Sequence, residues 1–158
     1  MSLRPIDTII ARHEFFKEFR PEHLEILQAC AQEARYNRDQ YLTRQGQGAE
    51  RFFLIRKGLV RVELLGDDGK PIPIQTVGPD EIVGWSWMVP PYRWNFDVRA
   101  QETTIAIVFD GSALRKNCEK DFELGFRILQ RVNTALHQRL AAMRGQLLEL
   151  HSKWEFGE

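Results

Sequence analysis

Between residues 34 and 110 the hydrophobic period of the chain switches from helical to extended, and this limits the available folds more than any other feature. A strand is expected to begin at Tyr36 and another at Tyr41-Leu42-Thr43, the second ending at Gln45-Gly46-Gln47-Gly48. Arg51–Arg56 reads as a fully buried strand stopped by Lys57-Gly58. Leu59–Leu65 sets Val60, Val62 and Leu64 against Arg61 and Glu63, the alternation of a half-buried strand. A hairpin turn at Gly66-Asp67-Asp68-Gly69-Lys70 follows, then Ile72, Ile74 and Thr76 on one face of the next strand, and another turn at Gly78-Pro79-Asp80. Phe96–Ala100 and Thr104–Phe109 complete the pattern. About eight short strands at this spacing specify a sandwich, barrel or jelly roll. With its flanking helices the chain is mostly β, of the α+β class.

Residues 5–19 read as one helix ending in Phe15, Phe16 and Phe19. A second starts at Arg20-Pro21-Glu22, with Leu24, Leu27 and Ala31 facing inward. After the strands, Asp110 or Ser112 caps a short helix reaching about Cys118. A long helix is expected from Phe122 to Leu150, and residues 151–158 read as a frayed tail. Phe126, Leu129, Asn133, Leu136, Leu140, Met143, Leu147 and Leu150 alternate steps of three and four, a heptad seam for a dimer, the alternative being a long amphipathic helix folded onto one barrel. Asn133 is its one polar member, of the kind that sets register. Ile128, Val132, Ala135 and Ala142 form a second apolar face directed at the β domain.

Residues 84–97 hold Trp85, Trp87 and Trp94, three of the four tryptophans, beside Pro90-Pro91 and Arg93. Indole is large and needs a partner for its N–H when buried, and paired prolines mark a loop or strand edge. The segment is either a rigid aromatic pocket wall or an aromatic mini-core beneath a loop.

The 158 residues form one domain with a core of ordinary size. Lys+Arg and Asp+Glu each number 22, which argues against a dedicated nucleic-acid binder. No run of about 18 apolar residues crosses a membrane, and residues 1–7 lack a signal-peptide core. Cys30 and Cys118 are too few for a disulfide framework or an iron–sulfur cluster, so both read as buried thiols in a reducing cytoplasm. His13, His23, His137 and His151 all fall in expected helices or the tail. That removes a jelly-roll metalloenzyme, whose ligands sit on strands. No nucleophile–base constellation or phosphate loop is present, so no enzymatic activity and no metal or required cofactor is expected.

Gly46, Ala49, the strand Phe52–Ile55, Gly58, alternating Val60 and Val62, and Val98-Arg99-Ala100 before Thr104–Phe109 together resemble the cyclic-nucleotide-binding domain of the catabolite activator and fumarate–nitrate regulator families. The glycines at 46, 58 and 69 suit turns closed to residues with a Cβ. The resemblance implies one domain over 1–158: N-terminal helices (1–33), an eight-stranded β-roll (34–110), C-terminal helices (111–150) ending in a long dimerisation helix, and a tail (151–158).

It also implies a phosphate-binding cassette, placing candidate ligand contacts at Gly84, Trp85, Ser86, Arg93, Trp94 and Asn95. The family's ribose-binding carboxylate position holds Trp85, a donor only. Its arginine position holds Trp94, with Arg93 one residue early, and Arg99 is the alternative cation. The candidate occupants are a cyclic nucleotide (cAMP or cGMP), another small anionic or stacked ligand against Trp85, Trp87 or Trp94, or the protein's own side chains. The expected role is a regulatory or sensor domain coupled to a homodimer. The alternatives are a ligand-free protein-interaction module, or a truncated transcription regulator whose DNA-binding part is lost or lies on another chain. No helix-turn-helix pattern follows Leu150, so direct DNA binding is not expected.

Overall fold

The computed structural model describes residues 4–155. Within them α1 (Pro5–Arg12), a 3₁₀ turn (Glu14–Phe16) and α2 (Pro21–Ala29) precede eight strands: β1 (Ala31–Tyr36), β2 (Tyr41–Thr43), β3 (Arg51–Lys57), β4 (Val60–Leu65), β5 (Pro71–Val77), β6 (Ile82–Val83), β7 (Asp97–Ala100) and β8 (Thr104–Asp110). α3 (Gly111–Lys120) and α4 (Phe122–Glu155) follow. The strands form two antiparallel four-stranded sheets, ordered β1-β8-β3-β6 and β2-β7-β4-β5. This is the β-roll with flanking helices that the family resemblance implies, one of the folds the strand pattern left open.

β3 is apolar throughout because both its faces are covered. Phe52 and Leu54 join Ile107 and Phe109 of β8 beneath the helices, where Ile10, Phe16, Leu27, Leu114, Leu124 and Ile128 also pack. Phe53 and Ile55 turn the other way, into the roll, against Val60, Val77, Val83 and Val98.

Several boundaries depart from the sequence reading. The first helix stops at Arg12, because His13 is extended (φ −73°, ψ 139°) and its side chain accepts a hydrogen bond from the Phe15 amide. Ala31 belongs to β1 instead of a helical stripe, and Tyr36 ends that strand instead of starting one. β1 pairs only with β8, so as an edge strand it keeps polar Gln32, Glu33 and Arg35 that hide its period. β6 has two residues, too few for any periodic signal. In β4 a bulge between Val62 and Glu63 breaks the alternation. Glu63 is thereby buried, paired with Arg99 at 2.9 Å and Arg61 at 3.4 Å. In β5, Ile72 is exposed and only Val77 is buried. Both cysteines are half-buried, with Cys30 capping α2 instead of lying inside a helix. α4 continues past Leu150 to Glu155, so residues 151–155 are helical; 156–158 lie outside the described residues.

Two aspartates fix the ends of the C-terminal helices. Asp110 accepts from the Ala113 amide at 3.0 Å and from the Ser112 hydroxyl at 2.9 Å. Asp121 accepts from the Leu124 amide at 3.2 Å and lies 2.8 Å from Nε2 of buried His23. Backbone N–H donation is the main cause holding both carboxyls below the usual range, followed by Ser112 at Asp110 and His23 at Asp121. A carboxyl lowered in the folded state stabilises above its unfolded value of about 3.9, and that stability is lost as pH falls through the folded value. Thermal melting followed by circular dichroism should therefore show falling stability below about pH 4. Asp110→Asn should melt lower at neutral pH and show a flatter acid limb; an unchanged acid limb would count against the cap.

Candidate functional site

The cassette begins where β6 ends. Gly84 (φ +95°) turns the chain, a 3₁₀ turn (Ser86–Met88) follows, and the Pro90–Pro91 bond is cis. Tyr92 (φ +57°) redirects the chain onto the 46–49 loop. There the amides of Gly46 and Ala49 donate to the carbonyls of Trp94 and Tyr92 at 2.8 and 2.7 Å, and the Trp94 amide donates to Gln47 at 2.9 Å. Arg115 of α3 clamps the loop from beneath, donating to the Trp87 carbonyl at 2.5 Å with its guanidinium 4.0 Å from the Tyr92 ring centroid.

The three tryptophans separate into two roles. Trp87 is fully buried, stacked on Phe52 with centroids 5.0 Å apart, and Phe52 stacks on Phe109 at 4.4 Å. Trp87 is thus a core residue and offers no face to a ligand. Trp85 and Trp94 are half-buried and line a small cavity with Gly84, Ser86, Asn95 and Phe96. Close approach explains the glycine: a Cβ at 84 would stand 2.7 Å from Cη2 of Trp94. Of the six candidate ligand contacts, five surround this cavity. Arg93 does not; it is exposed and donates to the Gly46 carbonyl at 2.9 Å. Arg99, the alternative cation, is held by Glu63.

The cation in the cavity comes from elsewhere. Arg139 of α4 is 9% exposed, donates from Nη2 to the Ile82 carbonyl, and places its guanidinium 5.0 Å from the Trp85 ring centroid. Loss of hydration pushes its pKa down, opposed by the field of Glu81. With Arg139 in place the cavity measures about 20 Å³, room for about one water. Sequence reading did not single out Arg139. The signal was present: Ile128, Val132, Ala135 and Arg139 recur in steps of four, three and four along the inward face. Ala142, assigned to that face, is exposed.

Behind Arg139 lies a groove of about 1110 Å³ between α1, the 78–82 turn and α4. Arg12, Arg56, Asp80, Glu81 and Arg131 line it, and so does Arg139, which stands between the two spaces. Asp80 lies 3.3 Å from Arg56 and 3.2 Å from Nε2 of His13.

Residues 33–121 match the family model described as "Cyclic nucleotide-binding domain". The chain belongs to this family. It is 24% identical over 149 residues to the "Anaerobic regulatory protein" of Bacillus subtilis (strain 168), covering 94% of this chain and 59% of that protein. The chain thus spans less than two thirds of that relative's length. Among solved structures, a putative cyclic nucleotide-binding protein from Geobacter metallireducens GS-15 has a TM-score of 0.77 at 20% identity, covering 87% of this chain and 99% of that one. A cyclic nucleotide-binding domain from Methylobacillus flagellatus KT has a TM-score of 0.74 at 24% identity, covering 91% and 81%. The resemblance read from the glycines and strand pattern therefore holds for family and fold. This cyclic nucleotide-binding domain is related to regulators, and among its described residues no helix is long and apolar enough to cross a membrane.

The close fit at Gly84 is testable. Gly84→Ala combines a left-handed alanine with overpacking against Trp94, a destabilisation of about 2–4 kcal/mol. Urea denaturation measures it; a loss below about 0.5 kcal/mol, the usual range of a neutral surface change, would show that Trp94 is not packed on this glycine.

Proposed function

We propose that this chain is a regulatory sensor module acting as a homodimer, in which the cassette around Trp85 reports its occupancy to α4. One observation carries the reading. Arg139 belongs to α4, yet its guanidinium lies in the cassette on Trp85. An occupant that displaces it acts on the helix at the same moment, and α4 is the two-state element that such an occupant would bias. The similarity to an anaerobic regulatory protein supports a place in regulation.

The dimer reading rests on the outer face of α4. Phe126, Leu129, Leu140, Leu147 and Leu150 of the heptad seam are exposed, as is Asn133, while Leu136 and Met143 are half-buried. Residues 126–150 present this stripe over about 36 Å of helix. An apolar stripe of that length is unusual on a monomer and has the spacing for a second copy of the same helix. Light scattering at micromolar concentration should give a dimer, and Leu140→Glu with Leu147→Glu should give a folded monomer. A monomeric wild type would sink this part of the proposal.

Neither cAMP nor cGMP is the ligand in this reading. Trp85 replaces the expected carboxylate, Arg93 is bonded to the 46–49 loop, and the open volume is a small fraction of a nucleotide. A millimolar ligand of micromolar Kd would stabilise by about 4 kcal/mol, raising Tm by about 8 °C or more. Titration of either nucleotide to millimolar concentration should leave Tm and tryptophan emission unchanged. A saturable shift with either one would restore the nucleotide assignment.

A further inference from the structure

We infer that the cassette of this chain is an aromatic cation site, that Arg139 is its resident occupant, and that a planar guanidinium-type cation is the ligand class able to replace it. The inference rests on the sensor reading above and names the chemistry of its site.

The lining decides the sign of charge. Trp85, Trp94 and Phe96 supply three aromatic rings, and Ser86 and Asn95 supply neutral polar groups. Apart from Arg139, no charged side chain lines the cavity. An anion entering in place of Arg139 would give up its hydration and meet no fixed cation. A cation meets the negative face of the Trp85 ring, the kind of contact that recognises organic cations. The Arg139 guanidinium, 5.0 Å from the Trp85 centroid, lies within the distance over which that attraction acts.

Shape and hydrogen bonding narrow the class. The Ile82 carbonyl accepts an N–H from Arg139 at this site. A ligand must reproduce that donor while presenting a flat face to Trp85. Quaternary ammonium ions lack the donor and the plane, and protonated amines lack the plane. The cavity vacated by Arg139 is one guanidinium group larger than the present 20 Å³, which suits a small planar cation and not a mononucleotide.

Arg139 also has somewhere to go. It lines the large groove as well as the cassette, and Glu81 lines that groove beside Ile82. Withdrawal into that groove would exchange a carbonyl and a ring for the neighbourhood of a carboxylate.

The test uses the full chain carrying Arg139→Ala, with methylguanidinium chloride as probe and sodium chloride, tetramethylammonium chloride and cAMP as comparators. Tryptophan emission and Tm are the readouts. The expected variant melts lower than wild type, and millimolar methylguanidinium saturably restores both signals. Wild type should respond only at higher concentration, because there the probe competes with Arg139. Tetramethylammonium should bind about tenfold more weakly or worse, the effect of one lost charged hydrogen bond. No saturable response of the variant, an equal response to sodium chloride, equal binding of tetramethylammonium, or tighter binding of cAMP would each overturn the inference.

If Arg139→Ala does not fold, the wild type decides by NMR. The Arg139 side-chain protons should carry an upfield ring-current shift that Trp85→Leu abolishes; random-coil shifts in wild type would refute the placement. Neither measurement depends on α4 self-association. A monomer in light scattering and a failed rescue are therefore separate results.

Discussion

The strand pair β3–β8 is buried on both faces, and the rest of the molecule is arranged around that fact. Phe52, Leu54, Ile107 and Phe109 look toward the helices, while Phe53, Ile55 and Ala106 look into the roll. Two apolar cores therefore share one backbone ladder. The helices cannot leave the sheet without exposing a strand pair that has no polar face. This ties the cassette to the helical layer: Trp87 stacks on Phe52, and Phe52 stacks on Phe109. Arg115 of α3 holds the Trp87 carbonyl and covers Tyr92. One end of the loop is anchored in the core, leaving Trp85, Trp94 and Arg139 as the half-buried or loosely paired groups around its cavity.

α4 carries three kinds of surface along one length. Leu124, Ile128 and Val132 are buried against the β3–β8 face. Arg139 follows in phase and is the last inward residue; Ala142, one step further, is exposed. The heptad seam lies on another flank and runs on to Leu150. A straight helix drifts about 20° per heptad against a 3.5 repeat, so a sheet-facing stripe and a partner-facing stripe can diverge along it. Arg139 sits where the helix parts from the roll, and the groove opens on the side away from the seam.

What the sequence revealed depended on how strongly burial imposed a period. β3, β8 and the inner half of β4 are covered on at least one face, so their patterns were readable. β1 is an edge strand whose Gln32, Glu33 and Arg35 meet solvent, and β6 is two residues long; neither leaves a pattern. Glu63 read as outward because a one-residue bulge cannot be seen in an alternating string. The cassette was locatable from Gly84 and its tryptophans, but its contents were not. Trp87 belongs to the core because of a stack with a residue 35 positions earlier. Arg139 enters from 54 positions after Trp85, and its charge disguised a place that its spacing assigned to the inside.

Half-buried Arg99 and buried Arg139 are compensated in different ways. Arg99 is matched to buried Glu63, a carboxylate that Arg61 also approaches, so the charges there are compensated within the roll. Arg139 has no ion pair among the described residues; a carbonyl and a ring face replace its lost hydration only in part. Core packing alone would favour an uncharged side chain here, as at Ile128 and Val132. Glu81 lines the adjoining groove, so a carboxylate stands on the side of Arg139 away from the cavity, whose own lining has none. In the proposed sensor reading, an occupant that replaces this contact acts on α4 through the residue it displaces.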